Sequence, residues 1–305
     1  MAESVPNGAT VSNQDRVCGR HNHRRCLNQT RAKELEQGLR QFLKGSRAPV
    51  ASANIKEFAN AISECEERSR RLRKFLELAH RLPKTDILFW LAKAQHSMEF
   101  DETLWRAFLA GHFGRTSTDS PETVPSAAKI LCGFGGEPHW TWKRVSSELI
   151  SLRPWLMENR KNLKSLRFGN HRKYESHKPL ILHAVIASFC SWVVDNGGTP
   201  SRAFGTSMDG NHEASFDRLY SSLRHVFRLG RTGVFDLLCL LGNTGILTVR
   251  PGSCYLRGST GPLRGARKLW GQRAPAELSE LADATAKGVE IPSGIFEDAL
   301  CMWQK

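Results

Sequence analysis

Apolar residues recur along this chain at intervals of three and four, the spacing that lines up one side of an α-helix. Leu35, Leu39, Phe42 and Leu43 mark a helix over 32–45. The break GSRAPVASA precedes a second helix from near Asn54, with Ile55, Phe58 and Ile62 inward and the basic run RSRRLRK on a solvated face. Thr85 and Asp86 form a cap pair for a helix through ILFWLAKAQ. A further helix from near Asp101 buries Leu104, Trp105, Phe108 and Leu109 and stops at Gly114. Prolines and glycines make 115–139 a loop-rich stretch. Pro179 opens LILHAVIASFCSWVVDNGG, whose broad apolar surface predicts a central core helix ended by Asn196, Gly197 and Gly198. Another helix spans 213–228, and the turn LGRTG leads straight into VFDLLCLLG. No segment alternates with period two, so the expected fold is all-α.

Charge adds a partner to that scaffold. The 305 residues carry 44 Lys and Arg against 30 Asp and Glu, a formal net charge of +14. On a folded chain such an excess attracts polyanions. It is unevenly placed: from Arg218 to Ala276 there are ten bases and a single acid, Asp236. A phosphate backbone suits that surface, although a compact anionic ligand could use it too. In LGRTG, Gly230 and Gly233 permit a tight hairpin whose N–H groups, with the next helix start, face a phosphate. The phosphate-binding set expected is Arg224, Arg228, Gly230, Arg231 and Gly233, with Arg257, Arg264 and Arg267 further on. After Ala276 the sign reverses, with six acids, and that segment is expected to pack away from a bound polyanion.

Other features narrow the setting. The first residues are polar, without the apolar core of a signal peptide. The longest apolar stretch, Pro179 to Val194, is short for a bilayer, and the eight cysteines are scattered without a CxxC pair. A soluble, cytoplasmic protein is expected, with no membrane and no obligatory protein partner. Cys18 and Cys26 flank His21 and His23 at a spacing that fits no standard zinc module, so no metal or organic cofactor is implied.

The run FRLGRTGVFDLLCLLG resembles the helix-hairpin-helix element of DNA glycosylases, and LAKAQHSMEFDETLWRAFLAGHFG is similar to the first core helices of that superfamily. There a Gln-bearing helix approaches the extruded base, which the resemblance carries to Gln95. FGNHRKYES, FRLGRTGVFDLLCLLG and PGSCYLRGSTGPLRGARKLWG resemble the alpha-glutamyl/putrescinyl thymine pyrophosphorylase clade 3 family over roughly 85–270. That resemblance extends to an antiphage DNA glycosylase that excises glucosylated hydroxymethylcytosine. It implies a two-lobed catalytic body over 32–276 with its hairpin at 227–236; outside the resemblance, composition marks a flexible basic arm over 1–31 and an acidic segment over 277–305. The partner implied is double-stranded DNA carrying modified bases, and the activity is excision of a bulky modified pyrimidine by base flipping, leaving an abasic site.

Two departures bear on the chemistry. Where many such glycosylases carry a lysine nucleophile this chain has Gly233, which argues against a Schiff-base lyase. Their catalytic Asp lies about twenty residues beyond, where this chain reads VRPGSCYLRG without a carboxylate. Cleaving an N-glycosidic bond builds positive charge on the sugar, so a carboxylate is needed to stabilise it or to activate water. The candidates are Asp236, Glu175, Asp101 and Glu99. For Asp101 the competing role is helix capping, for Glu175 an ion pair with Arg172 or Lys173, and for Asp236 a helix-start acid. Asn170, His171 and Tyr174, in NHRKYES, offer donors, acceptors and a stacking face for a base, or the bonds of an ordinary packed loop. A transferase displacing pyrophosphate from a modified deoxyuridine in DNA is the alternative enzyme, and a non-catalytic DNA-binding module is the third class.

Overall fold

The computed structural model describes residues 13–45, 50–75, 82–114, 126–169, 172 and 174–304, with side chains from residue 29 onward. Among those residues there are fifteen helices and no strand. In chain order they are α1 (Asn13–Lys44), α2 (Ser52–Phe75), α3 (Ile87–His96), α4 (Phe100–Phe113) and α5 (Ser126–Leu131). Next come α6 (Trp142–Ser147), α7 (Leu149–Glu158), α8 (Arg160–Leu163), α9 (Pro179–Asp195) and α10 (Pro200–Gly205). The last five are α11 (His212–Leu223), α12 (Gly230–Asn243), α13 (Gly261–Trp270), α14 (Pro275–Gly288) and α15 (Ser293–Trp303). No described helix is long and apolar enough to cross a membrane.

Local signals place several ends where the sequence puts them. The Asp86 side chain accepts the Leu88 N–H at 2.9 Å and so caps α3. Pro179 opens α9, where a missing N–H costs nothing. Other ends differ. The first helix begins at Asn13, well before Ala32, so 13–31 is helical; 1–12 lie outside the described residues. The stretch expected to be loop contains α5, whose Ile130 and Leu131 are fully buried. The helix expected to reach Arg228 stops at Leu223.

Two hydrophobic cores organise the chain. The first joins α3 to α12, with Trp90, Trp105, Phe108 and Phe189 fully buried at its centre and Phe108 stacked on Phe189 at 3.9 Å. Each such ring contributes about 2–3 kcal/mol by leaving water. The second joins α1 and α2 to α13, α14 and α15 around Phe58, Phe296 and Trp303. The chain's two ends therefore meet, and the acidic segment after Ala276 supplies α14 and α15 to this core. Helix α2 belongs to both, giving Ile62 to the second core and Leu72 to the first.

The second core closes on a backbone contact. A Cβ at Gly265 in α13 would fall on the carbonyl of Leu300 in α15, where nothing flexible can yield. Gly265→Ala should therefore destabilise the protein by about 1–3 kcal/mol. Urea denaturation would show this as a lowered midpoint, whereas an unchanged midpoint would mean that the two helices can separate without loss.

Candidate functional site: a cavity between the two cores

The hairpin between α11 and α12 is built around a buried arginine. Residues 224–229 form turns, with Arg228 (φ 58°) and Gly230 (φ 59°) both in the left-handed region. Glycine adopts that geometry freely, whereas arginine must be held there. Arg172, only 5% exposed, does the holding. Its Nη2 donates to the Arg228 carbonyl at 2.7 Å and its Nη1 to the Leu229 carbonyl at 2.8 Å. Its Nε donates to the carbonyl of His112, at the end of α4, at 3.1 Å. Glu175 balances the charge, one oxygen 3.2 Å from Arg172 and the other 2.8 Å from Arg228 Nε. Gly233 is small because Arg172 passes it: an added Cβ would lie 2.8 Å from Nη1. With its nitrogens fixed on carbonyls, that guanidinium cannot move aside.

The hairpin delivers α12 to the seam between the cores, where its first turns carry Arg231 and Asp236. Arg231 spans the seam. Its Nη1 donates to Glu297 of α15 at 2.7 Å, and its Nη2 and Nε donate to the Tyr255 carbonyl at 2.8 and 3.2 Å. Beyond it opens a cavity of about 490 Å³ lined by parts of α2, α4, α12, the 245–251 segment and α15. Asp236, Glu297 and Asp298 supply its acids, and Arg68, Arg73, Arg250 and His212 its basic side chains. Arg68 is buried and donates to Asp298 at 3.0 Å. Arg73 and Arg250 are exposed at the wall. Burial lifts the Glu297 carboxyl to about 7, opposed by Arg231 and reinforced by the charge of Asp236. Carboxyl groups and arginines thus share a space able to enclose a substituted base.

The expected site residues divide between this seam and other places. Asp236 lines the cavity, and because α12 already begins at Gly230 it lies in the second turn rather than at the helix start. Glu175 is used in the hairpin clamp, as an ion-pair role requires. Asp101 accepts the Ser201 N–H at 2.7 Å and so ties α4 to α10. Glu99 is exposed before α4 and makes no capping bond. Asp101 stands ten residues and roughly 15 Å of helix rise from Gly111, where α4 meets the cavity. Gln95, in the last turn of α3, has its Oε1 buried without a hydrogen bond, also away from the cavity lining. Asn170 and His171 lie outside the described residues, and Tyr174 is 84% exposed rather than in the cavity wall. Among the phosphate candidates, Arg224, Arg257, Arg264 and Gly230 are exposed. Arg228 is exposed and paired with Glu175, and Arg267 is half-buried. Arg231 and Gly233 are turned inward, so a phosphate role for them is corrected: every Arg231 nitrogen has a protein acceptor, and Gly233 faces Arg172.

Sequence reasoning passed over Arg172, Arg68 and Glu297. Arg172 was visible only as a neighbour of Glu175. Arg68 sits in a basic run whose solvated face was expected, and the structure buries it. Glu297, three residues after Gly294 in an acidic stretch, carried no local signal. Among the described residues no group of three His, Cys, Asp or Glu is placed to hold a metal.

His112 gives the clamp a pH dependence. Its ring is fully buried, stacked near Phe108, and burial with the charges of Arg172 and Arg228 lowers it to about 3. The neutral ring is favoured in the fold, so its stabilising contribution is complete above the ordinary histidine value of about 6.5. That contribution is lost as pH falls towards 3, at about 1.4 kcal/mol per pH unit. His112→Phe should remove this part of the acid sensitivity, read from urea midpoints at several pH values. An identical pH slope in the variant would place the acid sensitivity elsewhere.

No curated protein and no solved structure matches the chain. The sequence model of the alpha-glutamyl/putrescinyl thymine pyrophosphorylase clade 3 family does match, over residues 40–305. That span exceeds the 85–270 expected, and takes in α2, the acidic α14 and α15, and every wall of the cavity. The description is that of an enzyme of base modification, and the chain belongs to this family.

Proposed function

We propose that the chain is a monofunctional DNA glycosylase that hydrolyses the N-glycosidic bond of a glycosylated hydroxymethyl pyrimidine in double-stranded phage DNA, a cytoplasmic role in antiphage defence. The observation that carries this reading is Asp236, set in the cavity between the two cores in the second turn of the helix that leaves the hairpin. A base can reach an enclosed carboxylate only after it leaves the stack. The exposed N-terminus of α12 at Gly230 and the exposed Arg224, Arg257 and Arg264 offer donors to the flanking phosphates. The cavity has room for the sugar substituent as well as the ring. As the C1′–N bond lengthens, positive charge grows on the deoxyribose, and Asp236 stabilises it and directs water to C1′. No lysine stands at Gly233, so the product is an abasic site without strand cleavage.

A transfer reaction that displaces pyrophosphate is the second reading. The family description and the three arginines of the cavity wall favour it. Release of pyrophosphate rather than free base from modified DNA would select it.

Asp236→Asn keeps the size of the side chain while removing its charge. Base release, followed by alkaline cleavage of the abasic product, should fall about 10²–10³-fold with duplex affinity retained. A variant that binds DNA and releases base at the wild-type rate would sink the assignment. Replacing Arg224, Arg257 and Arg264 with Ala should weaken binding to every sequence. It should also flatten the dependence of log K on log salt by roughly 0.9 for each phosphate no longer neutralised. An unchanged salt slope would remove these three from the DNA face.

A further inference from the structure

The cavity holds a second carboxylate that base excision would use. We infer that Glu297 is the proton donor to the departing base, an assignment that rests on the glycosylase reading above. Glu297 reaches the cavity from α15, as Asp236 does from α12. Arg231 takes its Oε1 at 2.7 Å, while Oε2 has no hydrogen-bond donor among the described residues. The side chain is therefore fixed by one oxygen and leaves the other for the cavity. Burial holds its proton to about pH 7, with the charge of Asp236 acting in the same direction. The groups around it are Arg231 and Asp236 of α12, Asp298 of α15 with its partner Arg68, Cys65 of α2, Tyr220 of α11 and Cys254. Arg231 is the cation that lowers Glu297, and burial together with the two acids outweighs it.

The two carboxyls then divide the work, as pairs in unlike surroundings do. The C1′–N bond breaks and its electron pair leaves on the base. The Glu297 proton passes to that base. Water bonds to C1′ and gives its proton to Asp236, from which transfer to the Glu297 carboxylate restores the starting state. The nucleotide and water are consumed, and free base with an abasic hydroxyl is formed. Arg231 is a positioning residue here, since it acts only through the Glu297 side chain that it holds.

The test compares wild type with Glu297→Gln, which can still accept from Arg231, in single-turnover base release from roughly pH 5 to 9. Two duplexes are used, one carrying glucosylated 5-hydroxymethylcytosine and the other glucosylated 5-hydroxymethyluracil. Uracil leaves more readily as an anion than cytosine, and so needs the proton less. On the cytosine duplex, wild-type release should fall above about pH 7, and the variant should be about 100-fold slower with that fall abolished. On the uracil duplex the variant's loss should shrink to about tenfold or less. A wild-type rate in the variant, or an equal loss on both duplexes, would overturn the assignment. Wild type alone provides a check that needs no folded variant: its decline above neutral pH must be steeper on cytosine than on uracil, and equal declines exclude a proton donor. Release of neither base by the wild type would instead bring down the glycosylase reading itself, and this inference with it.

Discussion

Arg172 joins three parts of the chain that share no sequence neighbourhood. It meets the end of α4 through the His112 carbonyl, the hairpin through the Arg228 and Leu229 carbonyls, and its own loop through Glu175. A guanidinium suits this task because its donors lie fixed in one plane, where an ammonium would offer a single point of charge. Burial works against its charge, and Glu175 and Asp236 offset that cost. The glycines at 114 and 233 are the steric counterpart, each leaving the space that this side chain fills. Remove the clamp and the left-handed turn at Arg228 loses its support, and with it the direction in which α12 leaves the hairpin.

That direction fixes the chemistry. Helix α12 runs from the clamp to the seam, so Arg231 can cross to α15 and Asp236 can face the cavity. An apolar seam would bind the cores more simply, since buried ion pairs rarely add net stability over packed hydrocarbon. Keeping acids and arginines there sets charged groups in a largely apolar cavity where two well-packed cores meet. Walls on separate cores also let one space be lined from both ends of the chain, α2 near the beginning and α15 near the end. The unlike surroundings of Asp236 and Glu297 follow from this: one is half-buried in the second turn of α12, while the other is buried against Arg231.

The all-helical class, the apolar faces of the longer helices and the cap at Asp86 were determined by the sequence alone, because period and capping are local properties. The cap at Asp86, the opening of α9 at Pro179 and the left-handed Gly230 of the hairpin needed only a few neighbouring residues, whereas Gly233 proved to lie inside α12. The ten-to-one run of bases was legible in the same way, and Asp236 stood out in it as the single acid. Tertiary structure alone decided which charges face solvent. Arg231 and Arg68 read like their exposed neighbours, yet their partners Glu297 and Asp298 lie 66 and 230 residues away. Burial depends on what packs from the far side, and helical period says nothing of that. Glu297 enters the cavity only because the last helix folds back onto the second, a contact between chain ends that no local pattern encodes.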